Sequence, residues 1–333
     1  MIVLGIETSC DETAAAVLEG DRKVLASVVA SQDDVHGPYG GVVPELASRR
    51  HLEVVGPVVR RALDVAAVGL EHIDGIAVTQ GPGLVGSLLI GCSVAKALAY
   101  ARSLPLVGVN HLEGHIYAAF LEGEPPGYPF LALIVSGGHT ALYLARERGR
   151  YERIGQTRDD AAGEAFDKVA KLLGLGYPGG PIIERVAAGG DPAAIAFPTA
   201  QIRDGAPDFS FSGIKTAVSL HVRRAGPLGA AEVADVAASF QAAVVKALVR
   251  KTVRAANALG VHRIVLTGGV AANTALRESL RRECEERGWE LYIPSRKLCT
   301  DNAAMIAAAG HDRLEAGERA ALTMNAVPDL ALA

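Results

Sequence analysis

Two short stretches of this chain share one grammar. IVLGIETSCDETAAAVLE, from Ile2, and FLALIVSGGHTALYLARE, from Phe130, each read as an apolar strand, a turn of small and polar residues, and a second strand leaving the turn. A third apolar strand of parallel type, RIVLTGGVAANTALRESL, stops at Gly268 and Gly269 and leads into a helix. Strands that end at Gly/Ser/Thr turns expose backbone N–H groups, and such turns cradle phosphates. One copy would be a weak signal. Two copies, roughly one lobe apart, predict a duplicated α/β domain facing itself across a cleft.

Length agrees with two lobes, because 333 residues exceed what one core of about 250–300 residues holds. Half the residues are hydrophobic and only 5% aromatic, so the core must be built from Ala, Val, Leu and Ile. The 37 glycines fit a ligand-binding α/β protein with many tight turns. A net charge of −4 gives no global pull toward nucleic acid or an anionic membrane, so any such contact must come from local patches. Cys10, Cys92, Cys284 and Cys299 form no CxxC pair and read as reduced thiols. MIVLGIETSC has no basic n-region or cleavage site and reads as a strand. The stretch LVGSLLIGCSVAKALAYA, broken by Lys96, is expected to be a buried helix rather than a membrane span. These features predict a soluble, cytoplasmic protein.

The Pro/Gly-dense segment GEPPGYP at 123–129 marks a lobe boundary. The expected domains are 1–126, carrying an HxxxH motif, and 127–333, whose last helix packs back on the first lobe. A less regular region at about 176–213 reads as a helical insertion, with Pro181 at N1 of a short helix over 182–188. Long helices are expected at about 231–257 and 274–287, with a final one near 301–317.

HLEGHIYAAF, at 111–120, carries the sharpest chemical hint. On a helix His111 and His115 fall on one face, about 40° apart, and can present two imidazoles to one metal. The zinc-protease signature HExxH puts its general-base glutamate directly after the first histidine. Here Leu112 holds that place, and Glu113 lies about 200° round the helix. A metallopeptidase is disfavoured on this ground. The bare pair leaves two readings standing, packed or capping histidines and a metal site. Asp301, in LCTDNAAMIAAAG, would make a third ligand for iron(II) or zinc, but a helix N-cap at Thr300 or Asp301 is the ordinary reading.

Taken together, GIETSCDETAAA, QGPGLVGSLLIG, HLEGHIYA, VSGGHT, DDAAGEAFDKVAKLLGLGYPGGP, DFSFSGIKTA, LTGGVAAN and CTDNAAMIA resemble the TsaD family, tRNA adenosine threonylcarbamoyltransferases once labelled O-sialoglycoprotein endopeptidases. The resemblance runs in order along nearly the whole chain. It implies a duplicated actin/hexokinase-like (ASKHA) ATPase fold, two lobes around a nucleotide cleft. It also implies one divalent metal per subunit, iron(II) ahead of zinc(II), on His111, His115 and Asp301. The loop Ile134, Val135, Ser136, Gly137 and Gly138 would bind the nucleotide-bearing substrate, completed by Asp167, Gly180, Glu184 and Asn273. Carboxylates suit ribose hydroxyls, and glycines such as Gly180 and Gly269 admit a nucleoside plane.

The implied reaction moves threonylcarbamoyl from threonylcarbamoyl-AMP to N6 of the adenosine 3′ to the anticodon. Asp11 and Glu12, in the first polar turn, are candidates to take or orient the amine proton, and His139 is another. Implied partners are tRNA, a smaller paralogous actin-fold subunit (TsaB-like) and a P-loop ATPase (TsaE-like), with no membrane. Arg49–Arg50, Arg60–Arg61, Arg223–Arg224 and KALVRKTVR at 246–254 are the local basic features, each of which also reads as a solvated helix face. The competing class is a sugar or acid kinase of the same fold, which would hold Mg²⁺ through phosphates and waters rather than paired histidines.

Overall fold

The computed structural model describes residues 1–200 and 206–332, so residues 201–205 of the expected insertion lie outside the described residues. The chain divides into two units, Met1–Pro125 with Asp301–Leu332, and Pro126–Thr300.

In the first unit β1 (Ile2–Glu7), β2 (Glu12–Glu19), β3 (Lys23–Ser31), β4 (Gly75–Gly81) and β5 (Leu106–Asn110) form one sheet in the order β3-β2-β1-β4-β5. The hairpins β1–β2 and β2–β3 are antiparallel, whereas β1, β4 and β5 run parallel. Central strands covered on both faces must be mostly apolar, and β1 and β4 are so up to their C-terminal ends, where Glu7, Thr79 and Gln80 stand. The edge strand β3 instead alternates, as a half-covered strand should. Leu4 and Ile6 pack with Val55, Val59 and Cys92, from α2 (Pro44–Ala66) and α3 (Val85–Arg102). Two short helices, α1 (Asp33–His36) and α4 (His111–Tyr117), complete the N-terminal segment of the unit.

The second unit repeats the plan. Its strands β6 (Phe130–Val135), β7 (Thr140–Glu147), β8 (Arg150–Gln156), β9 (Arg263–Thr267) and β10 (Glu290–Tyr292) lie in the order β10-β9-β6-β7-β8. This is the first sheet's order with each strand exchanged for its counterpart, and the parallel β6–β9 pairing matches β1–β4. Its helices are α5 (Ala162–Leu172), α6 (Gly179–Ala187), α7 (Ser212–Ala225), α8 (Ala230–Leu259), α9 (Thr274–Arg287) and α10 (Arg296–Cys299). The last helix, α11 (Ala303–Glu315), belongs to the first unit.

Two expectations need correction. The helix expected from 182 starts at Gly179, with Pro181 inside its first turn, where a missing N–H costs nothing. It is also no appendage, since Ile183 and Ala187 enter the core beside Phe166 and Phe240. Helix α3 is long and apolar enough to cross a membrane by length and composition, but it is not wholly buried. Leu88, Cys92, Ala95 and Ala99 face the core, while Val85, Leu89 and Tyr100 are exposed.

Two glycines let α11 sit on the sheet. A Cβ on Gly5 would lie 2.4 Å from the Ala303 carbonyl oxygen, and one on Gly310 would lie 2.2 Å from the Ala77 Cβ. Gly310→Val should therefore force helix and sheet apart, costing about 1–3 kcal/mol. Urea unfolding reads this as a lower midpoint, and an unchanged midpoint would refute the tight seating.

Candidate metal centre and nucleotide-binding turns

The metal candidates all lie in the first unit. Helix α4 begins directly at the end of β5, and Asn110 caps it: its Oδ1 accepts from Leu112 N at 2.9 Å and Glu113 N at 3.4 Å. That start places both imidazoles at the C-terminal end of the sheet, in the buried face of the unit. Asp301 does not cap α11, contrary to the ordinary sequence reading. Asn302 does, accepting from Met305 N at 3.0 Å. Asp301 is left to face the histidines, with its Oδ1 3.2 Å from His115 Nε2 and 3.6 Å from His111 Nε2. One donor atom from each of the three residues falls within 4.8 Å of the others.

A residue that sequence reasoning missed fixes this arrangement. Glu7 ends β1 and is fully buried. Its Oε2 lies 3.0 Å from His111 Nδ1 and accepts from Thr79 Oγ1 at 2.7 Å, while its Oε1 accepts from Ser9 N. Ser9 Oγ adds a contact of 3.1 Å to the same His111 nitrogen. A carboxylate on Nδ1 leaves Nε2 to bind, and metal-ligating histidines are characteristically held this way. The only sequence signal was a carboxylate ending an otherwise apolar strand.

Electrostatics follow from burial. Burial alone would lower the His111 pKa, but the Asp301 and Glu7 carboxylates outweigh it and raise it to about 9. His115 is shifted down, chiefly by burial, which keeps its imidazole neutral and able to ligate. Burial, followed by the charges of Asp11 and Asp301, holds Glu12 well above the carboxylate range, so it faces the same electrostatic site as Asp301. Two imidazoles and a carboxylate, one imidazole with its outer partner in place, fit a divalent ion.

Glu113, the middle residue of HLEGH, has a different task. It is buried, and its Oε2 accepts from Arg313 Nη2 at 2.7 Å and Nε at 3.1 Å. Tyr117 Oη donates to Asp312 Oδ2 at 2.5 Å beside it. These bonds clamp α4 to α11. A glutamate so engaged cannot serve as a peptidase base.

The nucleotide candidates all lie in the second unit. Ile134 and Val135 are fully buried strand residues, so from that loop only the turn Ser136–Gly138 offers surface. Ser136 N donates to the His139 carbonyl at 2.7 Å and Ser136 Oγ accepts from His139 N at 3.2 Å, which closes the turn. Gly268, at φ +94°, could carry no side chain, since a Cβ there would meet the Val135 carbonyl oxygen at 2.4 Å.

Asp167, Gly180, Glu184 and Asn273 form one connected group. Asp167 Oδ1 accepts from Gly179 N at 2.7 Å, and Glu184 Oε1 accepts from Thr274 N at 2.9 Å. Asn273 caps α9 by accepting from Leu276 N at 3.0 Å, and its Nδ2 donates to Gln241 Oε1 at 2.7 Å. The amide expected to read a ribose or base is thus engaged at both ends.

The repeated sheet order and Gly/Ser/Thr turns, beside a cluster able to hold a metal ion, define an actin/hexokinase-like α/β protein. HypF of T. kodakarensis shares this fold at a TM-score of 0.63 and 16% identity, over 95% of this chain and 48% of that one. Component A of (R)-2-hydroxyglutaryl-CoA dehydratase from Acidaminococcus fermentans does so at 0.54 and 15%, over 95% and 99%. The family model TsaD, tRNA N6-adenosine threonylcarbamoyltransferase, matches residues 23–308. A tRNA N6-adenosine threonylcarbamoyltransferase of Symbiobacterium thermophilum is 60% identical over 331 residues, 99% of this chain and 97% of its own length. The chain belongs to this family.

Alanine at His111, His115 or Asp301 should lower bound metal, measured by elemental analysis, with the far-UV spectrum kept. Because a metal must displace the proton that His111 holds up to about pH 9, affinity should climb by up to about tenfold per unit from pH 7 toward 9. Full metal occupancy in the double histidine variant, or an affinity flat over that range, would count against the site. In the second unit, nucleotides lacking the ribose hydroxyls should bind more weakly by about 1–3 kcal/mol. Equal affinity for ribo- and dideoxy-nucleotides would remove Asp167 and Glu184 from ribose recognition.

Proposed function

We infer that this chain transfers the threonylcarbamoyl group of threonylcarbamoyl-AMP to N6 of the adenosine 3′ to the anticodon, in tRNAs that read codons beginning with A. Family membership is the observation that carries the reading. In the step, N6 attacks the carbamoyl carbonyl carbon, a C–N bond forms, the C–O bond to the phosphate breaks, and AMP leaves. The amine proton goes to a base, for which Asp11, in the first polar turn, and Glu12, at the start of β2, are our candidates. Burial and the charges of Asp11 and Asp301 push the Glu12 pKa up, which favours it for orienting the amine or returning a proton over abstracting one.

His111, His115 and Asp301 would hold a divalent ion, which we assign as iron(II) ahead of zinc(II). When bound it supplies a Lewis acid for the donor's oxygens. Ser136–Gly138, Asp167, Gly180, Glu184 and Asn273 would take the nucleotide part of the donor. Asn273 would do so by exchanging its Gln241 bond for one to the ligand. The kinase reading of the same fold gains nothing from paired histidines, and the peptidase reading loses its base to Arg313.

Partners are part of the proposal. A net charge of −4 predicts weak, salt-sensitive tRNA binding by the chain alone. One of the basic pairs is already partly neutralised, Arg49 by Glu45 and Arg50 by Glu53. We assign the exposed stripe of α3, with Val85, Leu89 and Tyr100, to a smaller paralogous actin-fold subunit, and expect a P-loop ATPase in the same cytoplasmic assembly.

Reconstitution tests this directly. With labelled threonine, bicarbonate, ATP, tRNA, the donor-forming enzyme and both partners, label should enter tRNA. Omitting the paralogue should lower the rate by more than tenfold, and Leu89→Asp with Tyr100→Asp should reproduce that loss. No label in tRNA would refute the transfer, whereas full activity of the chain alone would refute the need for the partner.

A further inference from the structure

We propose that the segment after α11 is a strap that positions His111, so that the metal centre depends on residues far from it in sequence. This rests on the metal reading of His111, His115 and Asp301. Two glycines make room for the strap on the first sheet. A Cβ on Gly81 would lie 1.9 Å from the Val327 carbonyl oxygen, and one on Gly108 would lie 2.8 Å from Met324 Sδ. The strap is fastened along its length at the C-terminal ends of β4 and β5. Lys96 Nζ donates to the Met324 carbonyl at 3.0 Å, Gln80 Nε2 to the Asn325 carbonyl at 3.0 Å, and Val327 N to the Gln80 carbonyl at 2.9 Å.

From there it reaches His111 by two routes. In the first, Asn110 Nδ2 donates to the Leu330 carbonyl at 3.1 Å. The other end of the same amide caps α4, so the strap fixes the rotamer of the cap that starts the histidine helix. In the second, Gly83 N donates to the Pro328 carbonyl at 3.0 Å, and Leu84 N donates to the Ser9 carbonyl at 2.8 Å. Ser9 in turn touches His111 Nδ1 and donates its N–H to Glu7. The strap therefore holds both the backbone that carries His111 and the groups that set its ring. Residues that contact a metal's ligands directly typically change its affinity by about 10–100-fold when lost, and the strap, one step further out, is expected to act at the lower end of that range.

Three variants separate the strap from the ligands. Ending the chain after Met324 removes both routes, with Pro328 and Leu330. Gly81→Ala places a methyl against Val327 and lifts the strap with its sequence intact. Asn110→Ser keeps an oxygen to cap α4 and loses the donor to Leu330. Each protein, stripped of metal, is titrated with Zn²⁺ against a chromophoric chelator, and hydrogen exchange of the Leu112 and Glu113 amides is followed alongside. The expected result is a Kd raised about tenfold in all three, with faster exchange at those amides. Wild-type Kd values in Gly81→Ala and Asn110→Ser would overturn the proposal, and these two decide it where the shortened chain does not fold. Zinc binding that His115→Ala leaves unchanged would show the metal reading itself to be wrong, and the strap's role with it.

Discussion

A charged carboxylate with no exposed surface is tolerated only when its lone pairs are met. Glu7 meets this demand with a threonine from β4, a backbone amide from the first polar turn and an imidazole from α4. Three elements are thereby registered on one side chain. The ring of His111 is turned so that Nε2 points where Asp301 and His115 converge. The close seating of α11 through Gly5 and Gly310, and the Arg313–Glu113 clamp, bring Asp301 to that same point from the other end of the sequence. Remove the buried carboxylate and its neighbours would still fold nearby, but the ring would lose the charged partner on Nδ1.

This arrangement also shows why HLEGH misleads when read alone. Spacing places two imidazoles on one helical face, and the glutamate between them suggests a base. In the folded chain that glutamate ties the helix to α11. The two histidines therefore stand in a group that could hold a metal ion, while the glutamate makes a helix–helix contact and is not free to act as a hydrolytic base.

Much of this was legible in the sequence. The strand–turn–strand grammar repeats because four small or polar residues reverse an apolar strand in each lobe, and both hairpins and the parallel β9 fell where that grammar put them. The long helices at 230–259 and 274–287 were equally clear from their periodicity and caps. Less legible were features set by contacts distant in sequence. Asp301 and Asn302 are both good caps, and only the approach of α4 decides which one is spared for the histidines. Lys96 looked like a break in an apolar helix, yet it reaches the Met324 carbonyl. Periodicity marked α3 as apolar without telling which side would lack a neighbour. Asn273 was picked for its donor and acceptor, and the fold occupies both.

The duplicated hairpins have one further consequence. Thr8–Asp11 and Ser136–His139 are turns of equal length, each joining the central strand of its sheet to an antiparallel neighbour. The second is glycine-rich at its tip, with Gly137 and Gly138 exposed, and presents bare amides. The first carries Asp11. An anion offered to both would be drawn to one and repelled by the other, and a cation would be sorted the opposite way. Two copies of one scaffold have become complementary electrodes, and a few side chains at the tips of matching loops suffice to set their polarity.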